Sequence, residues 1–512
     1  MTTKTGQEAA EAADEAEEVT RPVWARIAGE PGEEGEEGHL ELDEYASLDA
    51  TALRECLVQG DVAAPELADT ARRALARVND ALNALTIPPL DPALDANPNG
   101  RLGSVPFLLK DSAPFARGLP FSLGSRSISG AAAAADHPLM RKFRDCGLAA
   151  VGQTTAPEWS LSFATESLRY GVTRNPWALE RSVGGSSGGA AALVAAGAVP
   201  LAHASDGAGS IRIPASCCGV VGMKPSRGRT TPSNPALRLP GSSGPPTAGA
   251  ALGVDFAVTR TVRDTALLLE LVTEPGFPTP APAGTSPLRV AVTTASWSGA
   301  AINSEVAAAV TAAAEMLEWI GHRVTASSPT LDADDIRDGA ALGFLAAGQQ
   351  ILAAPVQPRR DLLETVSRSV LDATLALSRP QAEASLAAQA RVTRAVQGFF
   401  AHTDILVTPT LAQLPPPHGT LDYNRPRDRG GPPLQQVQSW IDEMFEFGPF
   451  TAAFNIAGNP AISLPLGHSV HGVPIGVQLV AAWGRDELLL DVAADLERAM
   501  PWKNRLPPIF VS

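Results

Sequence analysis

The sequence has 512 residues, of which 45% are hydrophobic, so it can form one large α/β domain or several of average size. Its formal net charge of −15 comes mostly from residues 1–44, an acidic stretch that we expect to be a disordered N-terminal tail. The rest is only mildly acidic, which excludes the basic footprint of a nucleic-acid-binding protein. The most apolar segment, Ala190–Pro200, is too short to span a membrane.

The N-terminus and the cysteines indicate a reducing compartment. The chain does not begin with the basic segment and apolar run of a secretory signal. Cys56, Cys146, Cys217 and Cys218 show no metal-ligand spacing, and the adjacent pair is poorly placed for a disulfide. We therefore expect a cytoplasmic protein with no bound metal.

Helical and strand patterns alternate along the first half of the chain. Two helices are predicted after the tail, in "TALRECLVQ" and "APELADTARRALARVN", and Asp49 or Thr51 is the expected cap of the first. The helical pattern "PLMRKFRDCG" follows further along. Buried strands are predicted at residues 105–111, 148–155 and 200–206.

The second half continues this alternation. A variable helical cap is predicted at about residues 330–400, over the edge of the sheet. Other strands are predicted at 288–294, 322–327, 404–410, 461–467 and 475–481, and helices at 304–321 and 485–500. The pattern predicts an α/β fold: a single large domain over residues 45–512, with a mostly parallel mixed central sheet covered by helices on both faces.

The segment "VGGSSGGAAALVAAGAVPLAHASDGAGSIRIPASCCG", residues 183–219, contains two Gly/Ser clusters with an alanine-rich run between them. A flexible linker would not continue into the apolar, β-branched "SIRIPASCCGVVGMKP". A phosphate-binding loop needs G-x-x-x-x-G-K-[ST], or a strand directly before the glycines, and neither is present. The remaining interpretation is nucleophilic catalysis by serine, with the alanine run as a helix between the clusters.

Such a serine needs a base, and the residues alone leave two kinds open. "GGSSG" matches the nucleophile elbow of Ser-His-Asp hydrolases, but the preceding "NPWALERSV" does not resemble the entering strand. His468 and His471 lie in a polar turn, "GHSVHG", and are expected at the surface. The alternative base is a desolvated lysine. Lys110 ends an apolar strand and Lys224 follows an apolar segment, whereas Lys142 stands among charges.

At this point the motifs match a family. "FLLKDS", "GVTRNPW", "GGSSGG", "SDGAGSIRIPASCCGVVGMKPSRGR" and "FNIAGNPAISLPLG…GVPIGVQLV" resemble, in order, the amidase signature family of serine hydrolases. The resemblance covers roughly residues 65–500. The motif around residue 210 is most similar to the subgroup of 6-aminohexanoate cyclic-dimer hydrolases, aryl acylamidases and related carbamate-cleaving enzymes.

The resemblance implies a Ser–cisSer–Lys triad. Lys110 corresponds to the base, Ser186 to the serine that follows a cis peptide bond, and Ser210 to the nucleophile. A neutral Lys110 could take a proton from Ser186, which could take one from Ser210. Gly185 and Ser187 would support the turn that carries Ser186.

The resemblance also implies an oxyanion hole made by the backbone N–H groups of Gly207, Ala208, Gly209 and Ser210. Family members commonly carry Thr-Gly where this chain has Gly207-Ala208. If Ala208 needed a positive φ, the strain would be roughly 1 kcal/mol.

Polar residues around the nucleophile are expected to be structural. Asp206 and Arg212 are predicted to form an ion pair that holds its loop. The polar network is predicted to include Asn175, Arg181 and Gln478, and a nearby turn to include Asn455 and Pro460.

The implied function is hydrolysis of a carboxylic amide without a cofactor or metal. The implied substrate is a small aryl, cyclic or other amide, with carbamates and esters as related substrates, and a homodimer is compatible with the family. The alternatives are a non-catalytic subunit and an amidotransferase-type subunit with the same fold. Ile213 stands where the tRNA-dependent amidotransferase subunit typically carries Gln, which favours a stand-alone hydrolase.

Overall fold

The computed structural model describes residues 40–232, 252–278, 287–354, 358–425 and 431–512. Most of the predicted acidic tail therefore lies outside the described residues. The first helix, α1, spans Leu42–Ser47, and Tyr45 on it is buried and donates a hydrogen bond of 2.9 Å to the Ala198 carbonyl oxygen. Leu40 is also buried. The packed chain thus begins a few residues before the predicted boundary at 45, because these apolar side chains reach the core.

Eight strands fall close to the predicted positions, whereas six others, within residues 166–182, 221–224 and 254–259, were not predicted. The strands are β1 (Pro106–Lys110), β2 (Ala149–Thr154), β3 (Glu166–Ser167), β4 (Gly171–Val172), β5 (Arg174–Asn175), β6 (Ala178–Ser182), β7 (Leu201–Asp206), β8 (Val221–Lys224), β9 (Val254–Thr259), β10 (Arg289–Val292), β11 (Arg323–Ala326), β12 (Ile405–Pro409), β13 (Ala461–His468) and β14 (Pro474–Ala481). Ten of them form the central sheet, in the order β11-β10-β12-β14-β13-β8-β9-β7-β1-β2. β3 with β4, and β5 with β6, form two small separate sheets.

The central sheet is mixed, with its parallel pairs near the two edges. β1 is parallel to β2 and β7, and β10 is parallel to β11 and β12. The strands between them pair antiparallel. β13 and β14 form a hairpin closed by a short turn at 469–473, whereas parallel pairs need longer crossovers. The predicted α/β fold on a mixed sheet is confirmed. The expectation that the sheet is mostly parallel is wrong, because five of its nine neighbouring strand pairs are antiparallel.

Helices cover both faces of this sheet, as predicted. They are α2 (Ala50–Gln59), α3 (Ala64–Leu82), α4 (Pro138–Cys146), α5 (Gly188–Ala195), α6 (Arg212–Cys218), α7 (Val262–Val272), α8 (Ser304–Trp319), α9 (Ala333–Ala353), α10 (Thr365–Ala376), α11 (Arg379–Phe400), α12 (Pro433–Phe447), α13 (Ala452–Ala457) and α14 (Asp486–Ala499). α3, α5 and α6 form one layer, and α4, α7, α8 and α14 form another. None of the helices within the described ranges is long and apolar enough to cross a bilayer.

The alanine-rich run between the two Gly/Ser clusters is the helix α5. All eight of its residues are buried, which is why its sequence shows no polar face. It joins the turn before Gly188 to β7, and β7 leads directly into the second cluster. The two clusters are therefore held by one rigid, fully packed unit.

The predicted cap is helical. α9 packs against both α10 and α11, and α12 and α13 complete the same group. The two last helices were not part of the predicted cap at about 330–400, and α13 carries residues that reach the candidate site.

Candidate active site

Lys110 is the last residue of β1, and it is almost completely shielded from solvent. The strand is buried at every position, and Lys110 itself is 1% exposed. Its Nζ donates hydrogen bonds to Ser186 Oγ at 2.6 Å and to Ser205 Oγ at 2.9 Å. The structure thus brings together the predicted lysine and the first predicted serine.

Burial lowers the pKa of Lys110 to about 7, although the carboxylates of Asp255, Asp206 and Asp111 act in the opposite direction. An amine with this pKa is largely neutral at mildly alkaline pH. Lys110 therefore has the property required of a lysine base, a desolvated amine that is neutral near pH 7 to 8. The sequence alone could only suggest this property.

The other lysine candidates do not contact these serines. Lys224 is also buried, and burial lowers its pKa to about 7, but its Nζ donates to the neighbouring Pro225 carbonyl at 2.9 Å. Lys142 Nζ bonds to Glu274 at 2.8 Å on the periphery of α4.

Ser186 lies in a tight turn before α5. The peptide bond between Gly185 and Ser186 is cis, as the resemblance implied. A Cβ on Gly185 would lie 2.8 Å from the backbone of Ala164, so only glycine fits at this position. Gly184 adopts a φ of +73°, which also favours glycine. These glycines let the turn pack against the neighbouring 163–164 backbone and place Ser186 at Lys110.

Ser187 connects the turn to the second cluster. Its N–H donates to the Ser210 carbonyl at 3.3 Å. Its Oγ donates to the Ser205 carbonyl at 3.3 Å and accepts from the Ser205 N–H at 3.2 Å. Ser187 is completely buried, so these contacts hold the two clusters in register.

Ser210 ends the loop of residues 207–210 between β7 and α6. The loop's carbonyl groups are engaged: Ala208 O accepts from Thr451 Oγ1 at 2.5 Å and Gly209 O from the Ile213 N–H at 2.8 Å. Within the described part of the chain, the N–H groups of residues 207–210 donate to no protein acceptor. Unpaired N–H groups in a turn of this kind are suited to an oxyanion.

Alanine at position 208, where the family commonly has glycine, causes no backbone strain of the kind considered above. Ala208 is not one of the described non-glycine residues with a positive φ. The left-handed position is Gly209, with a φ of +143°, where a Cβ would lie 2.5 Å from Thr451 Oγ1. The loop therefore needs glycine at 209 and tolerates alanine at 208.

The predicted ion pair beneath this loop is present. Arg212 donates to both carboxylate oxygens of Asp206, at 2.8 and 2.9 Å, and both side chains are completely buried. Burial would raise the pKa of Asp206, but Arg212 and its neighbours hold it at about 2. The Asp206 carboxylate also accepts from the Ile211 N–H at 3.1 Å, which fixes the residue after Ser210.

Arg212 extends this network to distant elements. It donates to Gln478 Oε1 at 2.7 Å and to Asn455 Oδ1 at 2.6 Å. Asn455 lies in helix α13, not in a turn as predicted, because "AAFNIA" forms a short helix that Gly458 ends. Pro460 contributes only a carbonyl that accepts from the Ala481 N–H at 3.2 Å.

Asn175 and Arg181 belong to a different region from Gln478. Asn175 is buried and donates to the Ser182 and Cys217 carbonyls at 3.0 and 2.9 Å. Arg181 donates to the Pro415 carbonyl at 2.8 Å and does not join the Arg212 network. These residues brace the chain on either side of the Ser186 turn.

The features of a conventional triad are not assembled. His468, the last residue of β13, and His471, in the turn that follows it, are exposed, as predicted. The expectation that no strand approaches "GGSSG" is wrong, because residues 178–182 form β6. That strand pairs only with β5, outside the central sheet, so the elbow geometry of α/β-hydrolases is not reproduced.

Two residues at the site were missed in the sequence. Ser205 is the second partner of Lys110, and its position at the end of β7, just before Asp206, was the available signal. Thr451 holds the 207–210 loop from more than two hundred positions away, with no motif to mark it. No group of three or more His, Cys, Asp or Glu side chains in the described ranges is arranged to bind a metal.

Comparison with known proteins identifies the family. A family model described as "Amidase" matches residues 73–490. The chain belongs to the amidase family. This amidase is 36% identical, over 490 residues, to the 6-aminohexanoate-cyclic-dimer hydrolase of Paenarthrobacter ureafaciens, with 90% of this chain and 97% of the relative covered.

Solved structures agree with this assignment. A structure of 6-aminohexanoate cyclic dimer hydrolase superimposes with a TM-score of 0.81 at 33% identity, covering 91% of this amidase and 99% of that chain. A bacterial aryl acylamidase of the amidase signature family shares the fold, with a TM-score of 0.71 at 24% identity over 90% and 97% of the two chains. The amidase is therefore an amidohydrolase with the amidase signature fold.

Proposed function

We propose that this amidase cleaves the C–N bond of small amides through an acyl-enzyme on Ser210, with Ser186 and Lys110 as the proton relay. The observation that carries the proposal is the 2.6 Å hydrogen bond between Lys110 Nζ and Ser186 Oγ, in a site where both residues are buried. The hydrogen bond between the Ser187 N–H and the Ser210 carbonyl supports the placement of Ser210 beside this relay.

In the first half-reaction, Ser210 Oγ attacks the amide carbonyl carbon. Its proton passes to Ser186 Oγ, and the Ser186 proton passes to Lys110 Nζ. The N–H groups of residues 207–210 hold the negative oxygen of the tetrahedral intermediate. As the C–N bond breaks, Ser186 protonates the leaving amine and recovers a proton from Lys110.

In the second half-reaction, water replaces the amine. The water oxygen attacks the ester carbonyl of the acyl-enzyme while its proton passes through Ser186 to Lys110. The ester bond then breaks, Ser210 regains its proton from the relay, and the carboxylic acid leaves. The steps need no metal and no cofactor.

A small cyclic amide is the first substrate to test, because the relative from Paenarthrobacter ureafaciens named above is a cyclic-dimer hydrolase. Linear primary amides and aryl anilides belong in the same screen. Aryl carbamates and esters also belong there, since both can acylate a serine.

Ser210 and Ser187, one serine from each cluster, should respond differently to replacement by alanine. Ser210→Ala should lose essentially all turnover of any substrate found in this screen, by about 10⁴-fold or more. Ser187→Ala is the matched control: it keeps the backbone hydrogen bond from residue 187 to the Ser210 carbonyl and removes no reacting group, so it should keep most of the activity. Steady-state kinetics of purified variants measures both.

Full activity in Ser210→Ala would contradict the assignment of the nucleophile. A folded wild-type chain with no turnover of any amide would instead favour the alternative of a non-catalytic or amidotransferase-type subunit. In that case, addition of glutamine and a partner subunit becomes the relevant assay.

A further inference from the structure

A buried imidazole and a buried carboxylate lie behind Lys110, and the proposed reaction uses neither. His203 on β7 and Asp255 on β9 are both completely buried. Their closest polar atoms, His203 Nε2 and Asp255 Oδ1, are 3.4 Å apart. Removing a carboxylate from water is costly. A buried carboxylate therefore stabilises the positive form of an ionisable group that lies beside it.

The strand register places that pair next to Lys110. Asp255 is directly opposite Ser205 in the antiparallel ladder of β7 and β9, and Ser205 Oγ accepts the hydrogen bond from Lys110 Nζ. His203 is two residues before Ser205 and faces the same side of the sheet. Lys110, Ser205, Asp255 and His203 therefore form one connected cluster across three neighbouring strands.

Two further carboxylates near Lys110 also have hydrogen-bond partners of their own. Asp206 is paired with Arg212 and Asn455. Asp111 accepts from the backbone N–H groups of residues 122–124. Of the three, Asp255 exerts the strongest Coulombic effect on Lys110.

We propose that Asp255 is the counter-charge that stabilises Lys110 when it carries the relay proton, and that neutral His203 beside it leaves this charge undiminished. The inference rests on the proposed function and adds two positioning residues to it. A buried ammonium is unfavourable without a nearby negative charge, so removing the carboxylate should make Lys110 a weaker base.

His203 fits the part of a neutral neighbour. Burial lowers its pKa, with Lys110 acting in the same direction and Asp255 in the opposite one. Its Nδ1 has no hydrogen-bond partner within the described residues. The half-buried His137 is the remaining titratable group in this cluster, and its pKa is also lowered by burial, with His203 contributing.

Lys110 can be titrated directly, because the sequence has only five lysines. In protein grown with ¹³C-labelled lysine, each Cε signal shifts as its amine loses a proton, and Lys110→Arg identifies the signal of interest. Asp255→Asn should lower the Lys110 pKa by about 1 to 2 units, the size expected for a nearby unit charge in a protein interior. The acid limb of kcat/KM should move to lower pH by the same amount.

Asp264→Asn is the matched control. Asp264 is equally buried, lies on the helix that follows β9, and caps α2 through the N–H groups of residues 50 and 51. The same isosteric change there should leave the Lys110 titration where it is in the wild type. An unchanged Lys110 titration in folded Asp255→Asn would overturn the proposal.

A measurement on the wild type tests the role of His203 even if Asp255→Asn does not fold. Ring ¹⁵N shifts of labelled histidine should show a neutral His203 imidazole from pH 7 to 9. An imidazolium at pH 7 would overturn the proposal, because it would neutralise Asp255. Neither titration needs turnover, so a failure of the Ser210 acyl-enzyme is detected separately by the kinetics of Ser210→Ala.

Discussion

The proposed role of Lys110 as the base depends on contacts that act on a single amine. The buried strand removes water from it, two serine hydroxyls accept its hydrogen bonds, and three carboxylates limit how far its pKa falls. With a pKa of about 7, the amine can take a proton and return it within one reaction cycle. A much lower value would prevent uptake, and an unperturbed one would leave almost no free base at neutral pH.

This balance predicts the pH dependence of the reaction. Only neutral Lys110 can accept a proton, and its folded-state pKa is about 7, so kcat/KM should rise as pH passes through about 7 and level off above it. Lys110→Ala should lose on the order of 10³-fold or more and abolish this rise. Measuring kcat/KM from pH 5.5 to 9.5 in both proteins checks the prediction.

The double variant with His468→Gln and His471→Gln is the control for this profile. Both histidines are exposed, at the end of β13 and in the turn after it, so the rise should remain at the same pH. If the double variant were inactive and Lys110→Ala active, a histidine base would be right and the lysine relay wrong.

At the scale of elements, three units supply the residues of the proposed relay. β1 delivers Lys110, the turn before α5 delivers Ser186, and the β7–α6 loop delivers Ser210. Each turn is tight because glycine permits it, but the glycines differ in what surrounds them. A Cβ at Gly185 would meet backbone at 2.8 Å, whereas a Cβ at Gly207 would have nothing within 4 Å.

This difference predicts opposite outcomes for two similar substitutions. Gly185→Ala should destabilise the fold by about 1–3 kcal/mol, because the neighbouring backbone must move, and should cost on the order of 10²-fold in kcat by displacing Ser186. Gly207→Ala keeps its N–H group and adds a methyl in open space, so both properties should stay close to the wild type. Urea denaturation and steady-state kinetics measure the two effects.

Equal behaviour of the two variants would contradict this account of the turns. In particular, a fully active and stable Gly185→Ala would show that the close approach to Ala164 does not position Ser186.

At the scale of the whole molecule, local sequence patterns correctly predicted the features that depend on residues close together in the sequence. The strands that end at Lys110 and Asp206, the helix between the clusters and the Asp206–Arg212 pair follow from hydrophobic periodicity and short-range motifs. The antiparallel centre of the sheet does not, because a strand's partner is chosen by packing across long separations. β9 pairs with both β7 and β8, and no residue in "VDFAVT" encodes that choice.

The same reason explains which site residues were missed. Thr451 reaches the Ser210 loop from the α12–α13 region, and Asp255 reaches Lys110 from another strand. Their roles depend on tertiary contacts alone, so their residue types carry no local signal. His203 lies in no motif of the sequence, and only the β7–β9 register places it beside Asp255.

Ser210 is the proposed nucleophile among all the serines of the chain, and active-site-directed labelling identifies the reactive serine directly. The intact protein is treated with a fluorophosphonate probe and digested, and the adduct is located by mass spectrometry. We predict a single adduct on Ser210, absent in Ser210→Ala and formed far more slowly in Lys110→Ala. Labelling of another serine in the wild type, or undiminished labelling in Ser210→Ala, would contradict the account.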